Sequence, residues 1–451
     1  VHKHFFFRQL PVSAVFVCLT VFLAFFAQRD DFGSFIVAYG ALFAGYTWVV
    51  FFQKNHLSEA ERRSLLWLGV ALRVLLLFSL PNLSDDCYRF LWDGRLTIAG
   101  IHPFVHPPTY FIENQIFPPG ISPALFQKLN SPEYFTVYPP VCQAVFAAAA
   151  WLAPESNGGG IFWMKLFLLA CELGTIFLLG KTTQSHLFVP RADAQLLYAL
   201  NPLAILEIVG NCHFEGAMVF FLLVGFGALR QNRLPMASGF WALATASKLL
   251  PPLFLPVVWK WLGVRKGLWF NLLFGATCLI LFAPLLPVLP NMVESLDLYF
   301  RQFQFNASVY YLVREVGFWH IGWDIGEQSG PWLGAVTALG VLILAVWVQP
   351  LASVRKHGLR VENALLFASM LYLSLSATVQ PWYAIVPLVL CLYTPWRFPV
   401  LWSGLVALSY SHYDGGDRQE HFEFIALEYT ILWAFFIGEI WWKARRSNPE
   451  P

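Results

Sequence analysis

Apolar windows long enough to cross a bilayer recur along almost the whole of this chain, and nothing else in the sequence limits its fold so tightly. They fall near residues 10–27, 33–52, 64–80, 161–181, 193–210, 213–230, 267–290, 331–350, 362–379 and 424–443, with shorter ones near 139–153, 381–395 and 397–412. In hydrocarbon every backbone N–H and C=O must be paired within the segment, so such windows form helices of roughly 20 residues. The expected fold is an all-α polytopic membrane protein of about thirteen to fourteen transmembrane helices, in a single domain over residues 1–451. The basic start VHKHFFFRQLPV runs into the first window without a small-residue cleavage site, and reads as a helix that stays.

Charged residues make up 12% of the chain against roughly 25% in soluble proteins, so clusters of them stand out. Lysine and arginine in short loops mark the cytoplasmic side. Lys3 and Arg8, then Lys54, Arg62 and Arg63, then Arg355, Lys356 and Arg360, and finally Lys443, Arg445 and Arg446 set that side. Both termini are then cytoplasmic, in a plasma (inner) membrane, and 81–138, 211–216, 291–330 and 411–423 lie outside. Parity holds if the 15-residue window 139–153 fails to span and 235–262, broken by Pro251, Pro252 and Pro256, is a hairpin with Lys248 at its external apex. In the alternative, 139–153 spans and 235–262 is one helix, which puts Lys181, Arg191, Arg230 and Arg233 outside.

The densest charge cluster is SDDCYRFLWDGRLTIAGIHPF, Ser84 to Phe104, hung on the end of the third window. Asp85 and Asp86 are adjacent, Arg89 is one helical turn from Asp86, and Arg95 lies beside Asp93. Carboxylates this close need a cation, a proton or a hydroxyl to hold. A solvated helix with weak local ion pairs is the plain alternative, but a chain so short of charge has little reason to place five here. LWDGRLTIAG reads as a short amphipathic helix lying at the interface. The proline-rich pieces HPFVHPPTYF, FPPGISP and VYPP cannot continue it. The long external segment 81–138, carrying short interfacial helices, is therefore expected to form part of a site.

Elsewhere, Lys248 sits among apolar residues, where a lysine is expensive. His213 and Glu215 share an external turn and, with Asp85 or Asp86, could hold a divalent cation such as Mg2+ or Mn2+. Arg73 is expected to pair with Glu172 or Glu207, and Lys165 with Glu172 two turns along the same helix face. Cys87 and Cys212 flank acidic motifs and could pair in an oxidising compartment. The seven cysteines show no CxxC spacing and no zinc pattern. A net charge of +2 with no basic stripe excludes a nucleic-acid partner.

SDDCYRFLWDGR, then AGIHPF and VYPP, resembles the first external loop of the GT-C membrane glycosyltransferases, nearest the lipid-phosphate-mannose-dependent, PIG-M-like mannosyltransferases. The acidic pair is Asp85-Asp86, the YR is Tyr88-Arg89 and the W-D-G-R run is Trp92-Asp93-Gly94-Arg95; His102 stands at a usual Asn before Pro103. ALNPLAILEIVGNCHFEG is similar to the family's second segment, with Asn211, His213 and Glu215 in place and Glu where Asp is usual. ATASKLLPPLFLP matches its Lys-x-x-Pro break at Lys248, and VQPWYAIVPL its Trp-Tyr signature at Trp382 and Tyr383. The similarity touches points from 84 to about 390 and leaves the first two and last two spans without support.

The resemblance implies a GT-C-type bundle whose external loops form the site. It implies a polyprenyl-phosphate sugar donor, most simply mannose, a lipid- or glycan-linked acceptor among the membrane lipids, and inversion at the anomeric carbon. Asp85 or Asp86 is the expected general base, since a positioned carboxylate can take a hydroxyl proton as the new bond forms. Arg89, Arg95 and Lys248 are candidates for the leaving phosphate, which accumulates negative charge. Tyr88, Trp92, Asp93, His102, Asn211, His213, Glu215, Trp382 and Tyr383 are candidates for sugar and acceptor contacts. The rival class is a transporter or lipid-linked-sugar flippase, which would place ionisable groups at the midplane between inverted repeats; here the acids crowd helix ends and no repeat is seen.

Overall fold

The structure, a computed structural model, describes residues 2–53, 55–182, 191–301, 303–351, 358–416 and 418–447. Lys54, Arg355 and Lys356, which help set the cytoplasmic side in the sequence, lie outside the described residues. The chain is 76% helical, with isolated bridges Phe305–Thr378 and Val348–Leu359 as its extended pairings among the described residues. Helices α1 (His2–Phe25), α2 (Phe32–Thr47) and α3 (Glu59–Leu75) lead into the segment 81–138, which carries α4 (Asp86–Ile98), α5 (Pro108–Glu113) and α6 (Pro123–Phe126). Next come α7 (Pro140–Leu152), α8 (Asn157–Lys181), α9 (Arg191–Ala199), α10 (Pro202–Ala204), α11 (Glu215–Arg230), α12 (Leu234–Ser247), α13 (Leu255–Leu262) and α14 (Val264–Phe282). The remainder is α15 (Leu289–Arg301), α16 (Val309–Ile321), α17 (Gly326–Trp347), α18 (Val361–Leu375), α19 (Ile385–Cys391), α20 (Phe398–Leu405) and α21 (Phe422–Ser447).

This is an all-α polytopic membrane protein. Among the described residues five helices are long and apolar enough to cross a bilayer, or six if the pair 192–199 and 202–210, bent by 54°, is one crossing. The other expected crossings are shorter or interrupted helices, because proline and paired polar groups break them near one end of the bundle. At Pro202–Gly210 the break includes a turn of π-helix (Ile205–Gly210), a bulge that frequently accompanies functional sites.

Two geometric relations fix how the middle of the chain runs. Glu215 at the start of α11 meets Lys248, while Phe226 near its end stacks on Trp261 with ring centroids 5.4 Å apart. Residues 234–262 therefore go up and back beside α11, a hairpin with Lys248 at the apex. Likewise α7 starts where Cys142 Sγ donates to the Ser247 carbonyl and ends at Pro154, whose carbonyl packs against Gly120 in the long segment. Its first turn thus meets the hairpin apex and its end meets the long segment.

Buried polar groups tie the crossings together. Arg73 Nε donates to Glu172 at 2.9 Å with both side chains fully buried, and the guanidinium also reaches the Ala199 and Tyr198 carbonyls. The expected pair between Lys165 and Glu172 does not form. Lys165 Nζ turns instead to the carbonyls of Leu76 and Ser79 and the Ser79 hydroxyl, just beyond the end of α3. Cys87 and Cys212 are free, buried thiols.

The segment 81–138 is more enclosed than an interfacial helix would be. Residues Arg89 to Leu96 of α4 are all buried, because α7 lies against them: at Gly94 a β-carbon would overlap the Phe146 carbonyl. Glycine lets the two backbones touch. The side chains of Trp92, Leu96, Phe111, Ile121 and Leu125 make a small buried core of their own under the loop.

Candidate active site

At the end of the bundle that carries 81–138, four separate parts of the chain converge on a cavity of about 610 Å³. Asp85, Asp86 and Arg89 come from the start of α4, Glu215 from α11, Lys248 from the hairpin apex, and Trp382 and Tyr383 from the turn before α19. Arg29, between α1 and α2, and Tyr413 with Arg418, before α21, complete the polar wall. Leu249, Leu250, Leu253, Leu296 and Phe303 furnish an apolar wall opposite. Such a mix suits a ligand with a greasy part and a few fixed polar contacts.

The charges are paired one by one. Arg29 Nη2 donates to Asp85 Oδ2 at 2.6 Å, and its guanidinium lies 4.4 Å above the Tyr413 ring. Burial pushes the Tyr413 phenol up to about 12, so the ring meets Arg29 as a neutral π face. Lys248 Nζ sits 2.9 Å from Glu215 Oε1 and over the rings of Tyr138 and Tyr383. Arg89 holds Asp93 at 3.0 Å and donates to the carbonyls of Ser131 and Tyr134. Asp86 differs: its Oδ1 accepts from the Asn130 amide at 2.7 Å, and no cation faces it at ion-pairing distance among the described residues. Arg418 has no carboxylate partner among them either.

Behind the cavity, the His213 imidazole stacks on the Trp382 indole with centroids 3.5 Å apart. His213 Nδ1 donates to the Glu207 carbonyl at 2.9 Å, and since a carbonyl only accepts, Nδ1 carries the proton. Glu207 Oε1 accepts from Tyr410 at 2.6 Å. His213 touches the site through Trp382 and does not itself line the cavity.

Of the residues picked from sequence, Asp85, Asp86, Arg89, Lys248, Glu215, Trp382 and Tyr383 are brought together. Tyr88 is half-buried under Lys128, and Trp92 is enclosed with Phe111. Asp93 is fully buried between Arg89 and Gln143. Arg95 reaches the Gly120 carbonyl away from the cavity. His102 bonds the Pro284 carbonyl, and Asn211 caps the backbone of Asn82 and Leu83. Those six order the loop that presents the acids. No group of three or more His, Cys, Asp or Glu able to hold a metal is present among the described residues.

Arg29, Tyr413 and Arg418 went unremarked in the sequence. The signal for Arg29 was its position: a lone arginine at the end of the first span that the lysine and arginine distribution places outside, against the usual bias.

The fold and the site together are an all-α membrane bundle with paired charges ringing an acid-bearing cavity at one end. The profile of the family described as alpha-(1->6)-mannopyranosyltransferase, N-terminal domain, matches residues 9–263, more than half of the chain. The chain belongs to that family, in keeping with its GT-C resemblance. It is 22% identical over 421 residues to alpha-(1->6)-mannopyranosyltransferase B of Corynebacterium glutamicum, covering 82% of this chain and 66% of that protein. It is 28% identical over 221 residues to alpha-(1->6)-mannopyranosyltransferase A of Mycobacterium tuberculosis, covering 44% of this chain and 40% of that protein. The matched part is thus less than two thirds of either relative's length.

Proposed function

We propose that this protein is an inverting mannosyltransferase that moves mannose from a polyprenyl-phosphate donor to a hydroxyl of a lipid- or glycan-linked acceptor at the external membrane face. The observation that carries this reading is the convergence of Asp85 and Asp86 with the Lys248–Glu215 pair on one cavity with a greasy wall. The relatives' names specify an α-(1→6) bond. An inverting enzyme making that bond takes a β-linked mannosyl phosphate and a primary hydroxyl.

Pairing divides the labour. Arg29 occupies Asp85 in a direct ion pair, so that carboxylate is already engaged. Asp86 keeps an oxygen without a cation and is the general base. It takes the proton of the acceptor hydroxyl as the hydroxyl oxygen attacks the anomeric carbon, and the bond from that carbon to the phosphate oxygen breaks with its electron pair leaving on the phosphate. The charge growing on the leaving phosphate is met by Arg418, the remaining donors of Arg29, and Lys248, held ready rather than recruited. The polyprenyl tail lies against Leu249, Leu250 and Leu253.

The test is mannose transfer from polyprenyl phosphate mannose by the purified full chain, with Asp86→Asn as control. Transfer that disappears in the control supports the reading. No product from the parent, together with substrate counterflow in vesicles, would favour the transporter instead.

A further inference from the structure

At the end of the bundle away from the cavity, a groove of about 750 Å³ runs between α13, α14 and α17. That it lies at the far end follows from Trp261, which stacks on Phe226 and whose carbonyl accepts from the Leu351 N–H at 2.7 Å. Its walls are apolar, with Leu255, Leu342, Ala345 and Val346 prominent, and its polar groups are Lys260 in the last turn of α13 and Asn271. Arg265 and Lys266 follow in the first turn of α14, one turn beyond Lys260. All three cations are exposed, and none has a carboxylate partner among the described residues. This contrasts with the cations that bind the bundle together, where Arg62 meets Asp193, Arg73 meets Glu172 and Arg230 meets Glu362. Trp259 and Trp269 are exposed beside the same mouth, 38% and 55%, where indoles favour the headgroup level.

We propose that this groove binds an anionic glycerophospholipid, with one acyl chain along the α13–α17 wall and the phosphate against Lys260, Arg265 and Lys266. The charge argues for the occupant: Lys260 on the wall of an apolar channel, with the exposed Arg265 and Lys266 just beyond Val264 of the same wall and no acid paired to any of the three among the described residues, complements a headgroup that is negative and joined to a chain. Basic pockets between membrane helices recognise acidic lipids in this way. A zwitterionic lipid of equal chain length fits the channel but neutralises the mouth less well. The site is remote from the acids of the cavity and stands whether or not the protein transfers mannose.

The experiment is native mass spectrometry of the detergent-purified full chain titrated with phosphatidylglycerol or with phosphatidylcholine of the same acyl chains. The parent should retain phosphatidylglycerol preferentially. Lys260→Gln alone should weaken that retention about fivefold, and the variant carrying Arg265→Gln and Lys266→Gln as well about a hundredfold. Leu342→Trp, which fills the channel from an exposed position and leaves every charge in place, should weaken it comparably; Val346→Trp serves if that variant is poorly folded. Equal retention of the two lipids by the parent would overturn the proposal. So would loss in the charge variants with undiminished binding in both tryptophan variants, since that marks surface attraction with no use of the groove.

Discussion

The imidazole of His213 lies face to face on the indole of Trp382, with ring centroids 3.5 Å apart and planes 18° from parallel. One side of Trp382 looks into the cavity, so the plane offered to a sugar is set by a ring that never enters it. Glu207 and Tyr410 set that ring in turn. A stacked aromatic pair contributes roughly 0.5–1.5 kcal/mol beyond burial.

His213→Ala should therefore raise the donor KM about two- to tenfold with a smaller change in kcat. His213→Phe, which keeps a flat ring and drops the Nδ1 bond, should recover most of that loss. Steady-state kinetics over a donor series decides it. Equal impairment in the two variants, with both folded, would show that stacking is not what His213 supplies.

Asp85 and Asp86 are adjacent in sequence yet face different partners, Arg29 for the first and Asn130 for the second. Asp86→Asn should lower kcat by about 10²–10⁴ and leave donor binding in place, as expected when a general base is removed. Asp85→Asn should act through Arg29, raising KM for the donor more than it lowers kcat. Single-turnover rates and donor titration separate the two effects. A larger kcat loss in the Asp85 variant would exchange their roles.

The pattern in these two cases shows what could be read from sequence. Spacing was enough for the helical class, for the acidic pair at a helix end, and for Lys248 at the break before Pro251 and Pro252, since each is a local consequence of chain chemistry. Which residues of the W-D-G-R run face inward was not legible. Asp93, Trp92 and Arg95 look as functional as Asp86 in one dimension, and only the approach of α7 at Gly94 turns them into the loop's own scaffold. Arg29 and Arg418 come from opposite ends of the chain, and no local pattern announces that they meet the same cavity.

Arg73 and Glu172 are the fully buried pair that joins α3 to α8. Arg73→Met leaves an uncompensated carboxylate and should destabilise the protein by about 3–5 kcal/mol. The double variant Arg73→Met with Glu172→Met should regain at least half, falling short of the parent because the Ala199 and Tyr198 carbonyls lose their donor. Thermal unfolding in detergent gives both values. A double variant no better than the single would mean that the carbonyl bonds, and not the ion pair, dominate there.

The proposed function gives Lys248 a second duty beside its pairing with Glu215, and the two can be separated. Its partner Glu215 has a side chain only 3% exposed, while Lys248 is 23% exposed toward the cavity. Glu215 Oε2 is buried with no hydrogen-bond partner among the described residues, so removing Lys248 leaves that carboxylate without its cation. Lys248→Ala should still fold, with a lowered melting temperature, and should lose donor binding. Adding Glu215→Gln removes the stranded charge and should restore the melting temperature without restoring binding, because the cation for the donor phosphate is still missing. Melting in detergent and donor titration on the same preparations read the two effects apart. Turnover at the parental rate in Lys248→Ala would take Lys248 out of the site, and recovery of binding in the double variant would make its role purely structural.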